Sequence, residues 1–218
     1  AAPGSLGGSG AVTVSGAAAL GGTGTIAGPV AFASGATLIA GGSNTVGTLT
    51  LSSADAGALT LNGNALLFDL STTSGVCDQL LIAGGLVLNG ANTIALSFTN
   101  GVPPAGTYTL MTYASKSGSG TLALNAVYPN ATLSVSDTSV TLTVTGAGIS
   151  YLKWKGGASG AWDTATANWQ RDGVAANYVE GDAVYFDDTA AAGSYAVSAS
   201  AAVSPSSVTF ANAASNYT

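Results

Sequence analysis

Residues 11–98 read AVTVSGAAALGGTGTIAGPVAFASGATLIAGGSNTVGTLTLSSADAGALTLNGNALLFDLSTTSGVCDQLLIAGGLVLNGANTIALSF. This is a ladder of very short apolar runs, each closed by Gly, Ser, Asn or Thr. Val12-Thr13-Val14, Val30-Ala31-Phe32, Leu49-Thr50-Leu51, Leu59-Thr60-Leu61 and Ile94-Ala95-Leu96-Ser97-Phe98 alternate apolar with small or hydroxyl residues. That is the period-2 signature of a half-buried strand, and no run has the length or the 3.6-residue spacing of a helix. Comparable strands recur at a similar interval: Val12 to Val30 is 18 residues, Val30 to Leu49 is 19, Leu38 to Leu59 is 21 and Leu66 to Leu86 is 20. A recurrence of about 20 residues is the period of a β-solenoid, in which no coil buries its apolar face alone. Five such coils, stacked at about 4.8 Å each, would make a rod of roughly 24 Å.

The glycine pairs at 7–8, 21–22, 41–42 and 84–85 fall between runs, where coil corners need positive φ. Asn62-Gly63 is the signature of a two-residue hairpin turn, and it keeps an antiparallel meander of the same strands in view.

Composition agrees with thin, tightly stacked backbone. Of 218 residues, 31 are glycine and only 6% are charged, while 47% are apolar. Low charge with that much apolar content argues for a packed core and against disorder. The net charge of −6 rests on four basic residues, Lys116, Lys153, Lys155 and Arg171. So few cations exclude a phosphate-neutralising patch, hence nucleic acid, and offer no attraction to anionic lipid. No run approaches a membrane span. There is no histidine, which removes the commonest general base and metal ligand. Cys77 is the single cysteine, so no disulfide closes within the chain, and Asp78 beside it is the wrong neighbour for a reactive thiol. The scarcity of Lys and Glu beside abundant Thr, Ser, Asn and Gly points to secretion.

Residues 1–10 (AAPGSLGGSG) read as an irregular Gly/Ser-rich start, and residues 1–100 as the solenoid ladder. The character changes at Asn100-Gly101-Val102-Pro103-Pro104-Ala105-Gly106, because Pro103-Pro104 cannot lie in a central strand. Residues 101–146 then carry longer runs rich in Tyr and β-branched residues, expected as antiparallel hairpins covering the open end of the stack. Gly146-Ala147-Gly148 is the linker candidate. Residues 147–218 form a third segment, with strands expected at 149–154, 182–186, 194–197 and 206–210 around a Trp/Gly/Asp loop. The fold class expected is all-β: a right-handed β-solenoid of short coils, antiparallel hairpins, and a small Trp-containing β module. The sequence stops at Asn216-Tyr217-Thr218 in mid-motif, as a segment of something longer would.

The stretch Tyr151-Leu152-Lys153-Trp154-Lys155-Gly156-Gly157-Ala158-Ser159-Gly160-Ala161-Trp162, continuing through Asp163 and Asn168 to Trp169, resembles the Trp box of the autotransporter-associated β-strand repeat (passenger-associated transport repeat) proteins. Gly181-Asp182-Ala183-Val184-Tyr185-Phe186-Asp187-Asp188 and Pro205-Ser206-Ser207-Val208-Thr209-Phe210 continue that pattern in the same order. Gly22-Thr23-Gly24-Thr25-Ile26, Asp78-Gln79-Leu80 and Gly106-Thr107-Tyr108-Thr109-Leu110 are similar to the same family's passenger regions. These are large bacterial secreted or surface proteins, many built of tandem units. The resemblance implies a β-solenoid passenger on or outside the cell, and it implies no catalytic residue. Here the box comes late, so the end of one unit and the start of the next are expected. The membrane barrel of some relatives has no counterpart in the sequence.

Three sets of residues are candidate sites. Trp154, Trp162 and Trp169 could stack on sugar rings, or could be the large pieces that give a Gly/Ala-rich module its core. Asp163 and Asn168 would cap the loop between the rings. Six of the ten carboxylates (Asp163, Asp172, Glu180, Asp182, Asp187 and Asp188) fall within 26 residues, and Asp182, Asp187 and Asp188 are the candidate calcium ligands. No EF-hand loop or nonapeptide calcium repeat is present. Val12, Val14, Val208, Phe210 and Tyr217 are candidate assembly edges. An enzyme is not expected, because a carboxylate pair acting on acidic sugars would want basic residues that the ladder lacks. The expected function is structural and non-catalytic: a stiff extracellular spacer or self-assembling fibre subunit, partnered by itself or by neighbouring repeats. The alternative is an adhesin that binds polysaccharide through the Trp box.

Overall fold

A computed structural model describes residues 4–99, 103–125, 128, 130–145, 152–171, 174–199, 202–205 and 207–218. Every regular element among them is a strand, and the strands build a right-handed β-solenoid. The chain divides into two compact units, Ala1–Asn125 with Ala131–Gly148, and Ala126–Asn130 with Ile149–Thr218. The linker expected at 146–148 lies outside the described residues.

The first unit repeats one coil of three strands. The first coil is β1 (Gly4–Leu6), β2 (Val12–Val14) and β3 (Ala19–Gly22). The second is β4 (Gly24–Ile26), β5 (Val30–Phe32) and β6 (Thr37–Ala40), and the third is β7 (Thr48–Leu51), β8 (Leu59–Asn62) and β9 (Ala65–Ser71). The fourth is β10 (Gln79–Ile82), β11 (Gly85–Asn89) and β12 (Ala91–Thr99), and the fifth is β13 (Gly106–Thr112), β14 (Ser115–Ser117) and β15 (Thr121–Leu124). Equivalent strands of successive coils pair in parallel, giving three sheets that begin β1-β4-β7-β10-β13, β2-β5-β8-β11-β14 and β3-β6-β9-β12-β15. β16 (Ala131–Val135) and β17 (Ser139–Val144) form an antiparallel hairpin whose β17 pairs antiparallel with β13.

Four sequence expectations are corrected. Residues 4–6 are not irregular, because β1 pairs with β4 through Leu6 opposite Ile26. Residues 106–124 are a further parallel coil, so only β16 and β17 are the expected hairpin, and they extend one sheet. Asn62-Gly63 is a coil corner between β8 and β9, not a hairpin turn. Both structures need the positive φ of Gly63, which is why the dipeptide cannot tell them apart. The 20-residue period holds only at the start: Leu20 faces Leu38, but Leu38 faces Leu66 and Ile94 faces Leu124. Leu38 and Leu59, matched by interval, lie in different sheets.

The core is the inward file of each sheet. Val30, Phe32, Leu38, Leu59, Leu61, Leu66, Phe68 and Leu80 are all buried. Their alternation in burial (BiB in β5, iBiB in β6, BiBi in β8) is the alternation of the sequence. One corner of the later coils is sealed by asparagines. Asn92 Oδ1 accepts from the Asn64 N–H (2.9 Å), and Asn92 Nδ2 donates to the carbonyls of Asn89 and Thr121 (both 3.1 Å). Asn64 Nδ2 in turn donates to the carbonyls of Ala33 and Ala36 (2.7 and 2.9 Å). Each buried amide thus satisfies backbone groups that a corner takes out of the ladder.

The second unit repeats the plan in outline. It comprises β18 (Leu152–Trp154), β19 (Ala161–Trp162), β20 (Trp169–Arg171), β21 (Val174–Ala176), β22 (Ala183–Asp187), β23 (Ser198–Ala199) and β24 (Ser207–Ala211). β18, β22 and β24 pair in parallel, as do β19 and β23, while β20 and β21 add antiparallel beside β18. The strand expected at 194–197 is instead Ser198–Ala199, and Tyr195 and Val197 pack against the core.

Candidate functional site

The Trp box is built around Asn168, which is fully buried. Its Oδ1 accepts from the N–H groups of Ala158 (3.0 Å) and Ser159 (2.8 Å). Its Nδ2 donates to Ser159 Oγ (2.9 Å) and the Ala161 carbonyl (2.7 Å). Asp163 caps the next turn, accepting from the N–H groups of Ala165 (2.9 Å) and Thr166 (2.6 Å), and those donors hold its carboxyl below the usual range. Both residues thus turn the loop as their types predict.

That loop folds the three indoles onto one another. Trp154 and Trp169 meet edge to face with centroids 4.9 Å apart, and Trp162 meets Trp169 at 5.2 Å and Tyr178 at 5.6 Å. Trp154 and Trp169 are buried, and Trp154 Nε1 donates to the Ser194 carbonyl (2.8 Å). The Trp162 and Trp169 N–H groups are buried and meet no acceptor among the described residues. Of the two readings open for the rings, sugar stacking does not hold for Trp154 and Trp169. Two are core, because a Gly/Ala-rich module has little else with which to fill its interior. Trp162 alone is half-buried, and with Phe186, Val197, Phe210 and Tyr217 it lines an apolar hollow of about 260 Å³.

The calcium expectation is also corrected. Asp182 pairs with Arg171 (Nη2 to Oδ1, 2.7 Å) and accepts from the Val179 N–H. Asp187 pairs with Lys153 (2.7 Å) and bonds Thr189. Asp188 accepts from the N–H groups of Ala213, Ala214 and Ser215 (2.7, 3.0 and 2.7 Å), which lower its pKa to about 2. Each carboxylate is committed to a different partner, and the described residues hold no cluster of metal-ligating side chains.

The edge candidates divide. Val208 and Phe210 are exposed on β24, whereas Val14 points into the first coil and is buried, with Val12 half-buried. Tyr217 packs its ring on Phe186 (5.0 Å) and donates its hydroxyl to the Asp187 carbonyl (2.6 Å).

One feature escaped sequence reading. Asp69 and Asp78 are isolated in sequence, yet both are fully buried against loop 41–47. Asp69 Oδ2 accepts from the Thr45 N–H (2.9 Å), and Asp78 accepts from the N–H groups of Gly47 and Asp69 (both 2.8 Å). Gly41 makes room: its φ is +72°, and a Cβ there would lie 1.9 Å from Asp78 Oδ1. Burial, with Asp69 adding repulsion against the bonds from Gly47 and Asp69, pushes the Asp78 carboxyl up to about 7. Burial and Asp78 together push the neighbouring Cys77 thiol up to about 12, an inert thiol. The only sequence signal was two acids in otherwise apolar runs flanking the turn Ser71-Thr72-Thr73-Ser74-Gly75.

Compared with known proteins, the chain matches no family model, and neither a curated relative nor a solved structure of significant likeness is found.

Proposed function

We propose that the chain is a non-catalytic structural segment of an extracellular bacterial β-repeat protein, acting as a stiff surface spacer or a fibre subunit. The autotransporter-associated repeat resemblance supports the setting. The observation that carries the reading is the use of the carboxylates. Asp69, Asp78, Asp163, Asp182, Asp187 and Asp188 each hold backbone N–H groups or a cation of their own unit. Ser53 and Asp55 bond each other, and Glu180 bonds Tyr178 and Ser204. None of these carboxylates lines the hollow beside Trp162, so none is placed there for general acid–base work. Incubation with neutral and acidic polysaccharides, followed by a reducing-end assay, is expected to release nothing. Turnover on any of them would sink the reading.

A glycan-binding module is the second reading, supported by half-buried Trp162 at the rim of an apolar hollow. Retention on a polysaccharide column that disappears in a folded Trp162→Ala protein would favour it over the structural one.

A further inference from the structure

The three sheets of the first unit are cut from the same coils, yet they turn very different faces outward. In the sheet β1-β4-β7-β10-β13-β17-β16, every outward position of six strands is Ser or Thr. Only β10 departs, with Gln79 and Leu81. None of the seven strands contains Asp, Glu, Lys or Arg. In the sheet of β3, β6, β9 and β12, an outward file is Gly21, Ile39, Leu67 and Ala95. In the sheet of β2, β5, β8 and β11 it is Thr13, Ala31, Thr60 and Val87. Strand propensity favours Thr in all three sheets alike, so it does not explain why one face is nearly all hydroxyl.

The hydroxyls stand in register. Thr25 lies opposite Thr50, and Thr112 opposite Ser139. Thr141 lies between Thr109 and Ser134, and Thr143 between Thr107 and Thr132. Neighbours across strands are about 4.8 Å apart, and alternate residues along one strand, such as Thr48 and Thr50, about 6.7 Å. Thr25, Thr107 and Thr143 are exposed, and Thr50, Thr109 and Thr141 partly so. Among the described residues, no protein group bonds these six hydroxyls. β-Branching leaves each side chain few rotamers, so the array is ordered before it meets a partner.

Such an array fits a neutral, repeating lattice. A sugar is gripped by aromatic faces and convergent polar groups in a concave site. Here Tyr108, the one aromatic residue of the seven strands, is buried in the core, and Gln79 is the one outward amide. Charged groups, which would hold water shells of their own, are absent from the face. Water oxygens on the prism faces of hexagonal ice repeat at right angles, at two intervals comparable to those of the threonines. One hydroxyl gains little by exchanging liquid water for ice. Many rigid hydroxyls bonding at once add those gains without a fresh ordering cost.

We propose that the outward face of this sheet binds ice, with threonine hydroxyls and methyls taking lattice positions at the ice surface. Strands β4 and β7 supply one patch and β13, β17 and β16 a second, with Gln79 and Leu81 of β10 between them. This goes beyond the structural reading and does not depend on it.

Ice-affinity partition of the 218-residue chain, with the gap between melting and freezing read on single crystals, tests it. Wild type is expected to concentrate in slowly grown ice and to open a freezing gap. Thr50→Lys and Thr143→Lys each set a solvated charge in one patch. With unchanged far-UV circular dichroism, each is expected to lose part of the enrichment and the double variant all of it. Thr13→Lys, on the neighbouring sheet, is expected to keep it. If Thr50→Lys misfolds, Thr25→Lys at an exposed position of the same file replaces it. Wild type excluded from ice, enrichment that survives the double variant, or equal loss in Thr13→Lys would overturn the proposal. So would a double variant that loses polysaccharide retention while partitioning into ice as wild type does. The structural reading fails separately, on the turnover assay.

Discussion

Leu66 in the first unit and Trp154 in the second are both fully buried, yet their neighbours differ in kind. Leu66 lies in a file, with Leu38 opposite it on one side and Ile94 on the other, so each coil repeats nearly the same contact. Trp154 lies in a cluster with Trp169, Phe186 and the Ser194 carbonyl, none of which is repeated elsewhere. A repeated file distributes its stability along the stack, whereas a cluster concentrates it in a few rings.

The largest effect is therefore expected from Trp154→Ala. Removing a buried indole costs about 3–5 kcal/mol, enough to unfold a small module. All three tryptophans lie in the second unit, so the two that remain report its unfolding by fluorescence. The second unit is expected to lose its transition while the circular dichroism melt of the first is retained. A joint collapse would mean that the two cores are not independent.

Next in size is a difference in pH response between the units. The Asp78 carboxyl is raised to about 7 in the fold, against an ordinary value of 3.8. Its contribution is full at pH values below the ordinary range, and it declines as the unfolded carboxyl ionises first. It is lost by the time the pH passes 7, and the loss amounts to about 4 kcal/mol. Asp188 has the opposite sign. With its pKa lowered to about 2, its contribution is present above the ordinary value and is lost as the pH falls toward 2. Denaturant midpoints are thus expected to be higher at pH 5 than at pH 8 for the first unit, with that slope flattened in Asp78→Asn. The second unit is expected to weaken only below about pH 4. A first unit that gains stability from pH 5 to pH 8 would contradict the assignment.

A smaller and more local effect is expected from Asn92→Ala, which strands the Asn64 N–H and the carbonyls of Asn89 and Thr121. One buried group left unpaired costs about 1–3 kcal/mol. In a stack the damage stays near its coil, so hydrogen exchange should quicken at Asn64 and spare Thr13 and Thr25 in the first two coils. Uniform loss of protection would mean that the five coils unfold as one.

The same contrast explains what could be read from sequence. Alternation in Val30-Ala31-Phe32 and Leu59-Thr60-Leu61 gave away the strands, because a β-face has a fixed period of two. Coil length was legible only where the corners are short. Val12 and Val30 are true partners, whereas Val30 and Leu49 belong to different sheets, since loops such as 41–47 lengthen each later coil. The tryptophans were legible as a cluster but not as core or surface, because burial depends on the hydrogen bonds of Asn168 and on strands up to 57 residues away. Asp69 and Asp78 were invisible as a pair, since they meet across the turn 71–75 and both hold the distant loop 41–47, which nothing in their own stretch announces.

The smallest effect concerns Cys77, the one thiol and a probe confined to the first unit. With its pKa near 12, only about one part in ten thousand would be thiolate at pH 8, so native protein should resist a thiol reagent for hours. Labelling must then pass through local opening of the turn between Asp69 and Asp78. Thiolate chemistry alone raises a labelling rate tenfold per pH unit. Below about pH 7 the closed turn keeps Asp78 protonated while the open turn ionises it, so opening becomes easier with rising pH until the closed form ionises as well. The slope between pH 6 and pH 8 should accordingly exceed tenfold per unit in wild type and return to tenfold in Asp78→Asn. Tenfold in both would mean that the turn opens without regard to Asp78, and that its buried carboxyl is held by the backbone alone.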